Sequence, residues 1–68
     1  MKASELVLLR ERSRISLSDL IFYTGYSIDF HFQLETGQLP ILFDVEKRLL
    51  EAFGRHMLAQ LGRESHDR

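Results

Sequence analysis

Between Ser27 and the Thr36-Gly37 pair, apolar side chains fall at every second position, with Ile28, Phe30, Phe32 and Leu34 alternating with Asp29, His31 and Gln33. Strict alternation is the period of a half-buried strand. A serine before the segment and a glycine after it are instead the start and stop signals of a helix. The choice governs the whole fold, because a strand needs partners. Glu35-Thr36-Gly37-Gln38 could turn the chain back so that Leu39–Phe43 pairs as a hairpin, but two strands alone are marginal in water and no third is in sight. The sequence therefore reads as helix here. In such a helix Ile28 and Phe32 share one side, with Phe30 and Leu34 nearly opposite. One side enters a core, and the other meets water or a partner.

The remaining segments also read as helical. Ser4 and Glu5 open a first helix over residues 4–14, with Leu6, Leu9 and Leu8 on its apolar side and Arg10, Arg12 and Arg14 near its end, where cations suit the dipole. Ser16 with Asp19 forms a short-acid version of the capping box, followed by Leu17, Leu20, Ile21 and Thr24 at helical spacing up to Gly25. Asp44 is a candidate cap for a last helix whose stripe is Val45, Leu49, Phe53, Met57 and Leu61. Gly54 leaves two readings open, one long helix or two shorter ones. The expected fold is all-α, with four or five short helices in one domain over residues 1–62 and a disordered tail over 63–68.

At 68 residues the chain has room for one core only, and a domain of this size buries only about 60% of its unfolded surface. Self-association is the expected extra support, along Val45, Leu49, Phe53, Met57 and Leu61 as a homodimer seam. The chain has no cysteine, which rules out disulfides and thiolate metal sites. No apolar run approaches the roughly 18 residues of a membrane span, so the expectation is a cytoplasmic protein with no membrane partner. The net charge of -1 is unevenly spread, with no lysine or arginine between Arg14 and Lys47. The middle of the chain is acidic and aromatic.

Residues 5–53 resemble the phage repressor and Cro-like (XRE-type) helix-turn-helix family. The resemblance rests on Arg10, on Ile15-Ser16-Leu17-Ser18-Asp19-Leu20, on Gly25 and Ser27, and most specifically on Leu34-Glu35-Thr36-Gly37-Gln38-Leu39-Pro40. It implies transcriptional regulation, with the third helix in a DNA major groove. The reading positions carried over are Leu17, Ile28, Asp29, Phe32 and Gln33. Thr24 and His31 stand where the family usually buries aliphatic residues, so His31 reads as a packed or hydrogen-bonded histidine, with the alternative that the third helix is rotated so that Phe30 or Phe32 enters the core in its place.

At those reading positions this chain departs from the family. Only Gln33 suits an adenine edge, and phosphate affinity depends on lysines and arginines, which the third helix lacks. Two expectations follow. In the favoured one, Phe22, Tyr23, Ile28, Asp29 and Phe32 form an acidic, aromatic surface that contacts a protein such as a transcription factor, with the competing reading that most of these aromatics are simply core. In the alternative, a dimeric operator-binding protein holds duplex DNA through Arg10, Arg12, Arg14, Ser27, Gln33 and Thr36. Enzymatic signals are missing. The three histidines are scattered, Ser65-His66-Asp67 cannot form a triad from adjacent residues, and the four glycines are isolated. The expectation is no enzyme, no metal and no cofactor.

Overall fold

The computed structural model describes the backbone of residues 1–66 and side-chain surroundings through residue 62. Within that span the chain forms four helices and no strand: α1 (Ala3–Ser13), α2 (Leu17–Thr24), α3 (Ile28–Glu35) and α4 (Phe43–His66). The fold is all-α. The alternating segment is helical, and its inward residues are His31 and Leu34.

Local chemistry sets most boundaries. Ser16 Oγ accepts from the Asp19 N–H at 3.0 Å and Ser27 Oγ from the Phe30 N–H at 3.2 Å. Each serine thereby satisfies an amide left over at a helix start. Gly25 and Gly37 close α2 and α3 with φ of 77° and 78°, a region that costs glycine little. Two ends differ from the sequence reading. Helix α1 starts at Ala3, not after Ser4, because the Glu5 carboxylate reaches back to the Lys2 N–H at 2.9 Å. Helix α4 starts at Phe43, so Asp44 lies in its first turn and does not cap it.

Gly54 does not break α4, which is one helix of 24 residues and not short. It also runs through residues 63–66, where a tail was expected to begin; the last two positions of that segment lie outside the described residues.

The core gathers Leu6, Ile15, Leu20, Leu34, Leu49, Ala52 and Phe53 from all four helices and the α1–α2 link. Its largest helix pairing is α2 on α4, while α3 rests on α1 and α2 and makes no comparable contact with α4. Arg10 Nε and Nη2 donate to the two Glu35 carboxylate oxygens at 2.8 and 3.1 Å, pinning α3 to α1. A radius of gyration of 12.5 Å exceeds the roughly 11 Å of a compact domain of this length. The cause is the far half of α4, since Met57 to Gly62 all stand exposed beyond the core.

Candidate functional site

Packing sorts the aromatics of the middle segment into two groups. Tyr26, in the turn before α3, stacks edge-on to Phe30 with ring centroids 4.8 Å apart and faces His31 at 5.6 Å. The Arg48 guanidinium lies 5.3 Å from the Tyr26 ring centre, and its Nη1 donates to the Thr24 carbonyl at 3.3 Å. These rings belong to the packing of α3. Phe30 is half-buried against the core, whereas Phe32 is not.

The exposed group is Phe22 at 82%, Ile28 at 61% and Phe32 at 58% exposure. Ile28 and Phe32 sit one turn apart on the outer side of α3, with exposed Asp29 and Thr36 and half-buried Gln33 beside them. Phe22 is turned onto Tyr23, with centroids 5.6 Å apart, and Tyr23 in turn meets His56 of α4. Of the five residues expected to form one surface, Ile28, Asp29 and Phe32 are brought together on α3. Phe22 and the half-buried Tyr23 form an aromatic run leading from α2 toward α4.

His31 occupies the core position beneath this face. It is fully buried, with Nε2 2.6 Å from Thr24 Oγ1, which also accepts from the Tyr26 N–H at 3.3 Å. Its Nδ1 is buried with no hydrogen-bond partner. Burial lowers the imidazole pKa below its usual value, and the nearby Glu35 carboxylate opposes that shift. The imidazole thus fills a core position, held by one threonine hydroxyl.

The residues expected to hold DNA are largely engaged elsewhere. Arg10 is committed to Glu35, Ser27 caps α3, and the Thr36 hydroxyl donates to the Phe32 carbonyl at 2.9 Å. Arg12 and Arg14 are exposed at the end of α1. The amides at helix starts are natural phosphate seats, yet the first turns of α2 and α3 carry Asp19 and Asp29. A phosphate arriving there meets a carboxylate.

The expected dimer stripe does not survive intact. A spacing of four drifts about 40° per step around a helix. It therefore begins inside and ends outside: Leu49 and Phe53 are buried and Val45 is half-buried, while Met57 and Leu61 are exposed. Sequence reading also missed Phe43, Leu50 and Leu58, three exposed apolar residues of α4. Their signal was a second apolar stripe overlapping the first. Among the described residues no cluster of potential metal ligands occurs, and no helix is long and apolar enough to cross a membrane.

Comparison with known proteins gives no matching family model, no matching curated protein and no matching solved structure. The geometry of the outer face of α3 therefore carries the functional reading.

Proposed function

We propose that this chain is a small cytoplasmic regulator of transcription, of helix-turn-helix type, that works by gripping a protein partner through the outer face of α3. The supporting observation is the makeup of that face: Ile28 and Phe32 stand mostly exposed beside Asp29, with no lysine or arginine on the helix. Exposed apolar residues rimmed by polar ones mark protein contacts, and aromatic residues are enriched while charges are depleted at the centres of such contacts. Duplex DNA asks for the opposite. Its affinity comes largely from cations neutralising phosphates, and here α3 offers a carboxylate in its first turn. A transcription factor is the partner class that the resemblance to repressor-like regulators favours.

The test compares the native chain with Ile28→Ser/Phe32→Ser, because both side chains are mostly in water and neither belongs to the buried core. Affinity capture from the source cells should enrich a specific regulatory protein with the native chain and lose it with the double variant. Both chains should show the same helical circular-dichroism spectrum. In parallel, duplex DNA selected from a random pool should show no sequence preference at physiological salt. Site-selective duplex binding that depends on Arg12, Arg14 and Gln33 would establish the operator-binding alternative in its place.

A further inference from the structure

Helix α4 is apolar on two sides. Val45, Leu49, Ala52, Phe53 and His56 form the side buried on α1 and α2. A second stripe, made of Phe43, Lys47, Leu50, Gly54, Met57 and Leu61, recurs at alternating steps of four and three residues. At 3.6 residues per turn it lies roughly 140° around the helix from the buried side. All six residues are exposed, Phe43 at 78%, and Leu58 beside them stands at 69%. The four-three step is the heptad spacing of helices that pair along a seam.

We propose that this outer stripe is a homodimer seam, along which α4 packs antiparallel against α4 of a second copy. Three observations select that occupant. The first is pattern: Phe43, Leu50, Met57 and Leu61 fall on heptad spacing, with Lys47 and Gly54 between them, which suits another long helix, and α4 is itself the long helix this chain supplies. The second is area. Phe43, Leu50, Met57, Leu58 and Leu61 together expose on the order of 500 Å² of side chain, given side-chain areas of this class. With all of it covered, two copies would bury up to about 1,000 Å², which just reaches the lower bound of a specific interface. The third is charge. A parallel pair stacks Lys47 on Lys47 of the second copy, whereas an antiparallel pair sets each Lys47 against the apolar far half of the partner helix, where its methylene stem lies along the surface.

Gly54 sits in the middle of the stripe, and a Cβ there would meet nothing within 4 Å in the single chain. The missing side chain leaves room for a knob of the second helix. A shallow groove of about 490 Å³ between Phe43 and Leu50, with Lys47 in its wall, offers another such place. The seam does not use α3 and stands independently of the function proposed above.

Sedimentation velocity over a dilution series tests the seam. The native chain should move from twice its 8.0 kDa mass to the single mass on dilution. Leu50→Glu and Leu61→Glu should each stay at the single mass at every concentration, with an unchanged helical spectrum. A native chain that stays single throughout would overturn the proposal and leave the stripe to a different protein. So would a dimer that both variants preserve. Orientation is read from cysteine cross-linking, since the chain has no cysteine of its own. Under mild oxidation a mixture of Phe43→Cys and Leu61→Cys chains should couple to each other and Phe43→Cys alone should not; rapid coupling of Phe43→Cys with itself would mean parallel helices and refute the geometry.

Discussion

Replacing Arg10 with methionine tests what holds α3 in place. The substitution keeps an apolar stem of similar length and removes the guanidinium, so both hydrogen bonds to Glu35 are lost. The Arg10 side chain is 24% exposed and that of Glu35 only 12%, so the carboxylate is left largely out of water without a partner. Breaking a fully buried pair costs about 3–5 kcal/mol and an exposed pair about 0–1 kcal/mol. With these exposures the expected loss is about 2 kcal/mol, close to a thirtyfold fall in the folded-to-unfolded ratio. Adding Glu35→Leu should recover most of it, because apolar replacement of both partners is often neutral. Urea unfolding followed by circular dichroism at neutral pH, on both single variants and the double, closes the cycle. A loss under about 0.5 kcal/mol for Arg10→Met, the range of an ordinary surface change, would refute the claim that this pair fixes α3. A double variant as unstable as the single would refute it equally.

Two further outcomes follow from the core and from α4. The His31 pKa is lowered by burial, so the unfolded chain takes up a proton near the ordinary value of 6.5 while the folded chain resists it. Stability should therefore fall as pH drops below about 6.5, because the unfolded state binds more protons there. Urea midpoints from neutral to acidic pH should show this slope in the native chain and a shallower one in His31→Leu; identical slopes would assign the acid sensitivity to other groups. Gly54→Ala, measured at high dilution, should stabilise the single chain by about 1 kcal/mol through helix propensity, since the added methyl meets no neighbour. A loss of stability at high dilution would mean that α4 is not continuous at that residue.

Much of α2 and α3 was legible because serine and glycine act locally. Ser16 and Ser27 satisfy amides of their own helices, and Gly25 and Gly37 adopt the positive φ that glycine tolerates. The start of α1 was misplaced because the group that completes it, the Glu5 carboxylate, reaches backward past Ser4. Which of Phe30 and Phe32 turns inward was not legible from alternation alone: it follows from the burial of His31 and Leu34, which brings Phe30 to the inner side of α3, where Tyr26 packs on its ring. The exposure of Ile28 and Phe32 is one of the two outcomes the sequence allows, whereas the Tyr23–His56 contact joins segments distant in the chain and leaves no local signal. On α4 a single sequence pattern merged two stripes, and only the position of the core could separate them.

The backbone of α3 lies against α1 and α2, and α4 reaches it through side chains, the Arg48 guanidinium on the Tyr26 ring among them. The proposed grip on α3 and the proposed seam on α4 use different residues. An assembly of two chains would present a pair of identical docking helices at fixed separation. Toward a partner with two matching patches, such a scaffold gains by effective concentration what one weak contact lacks.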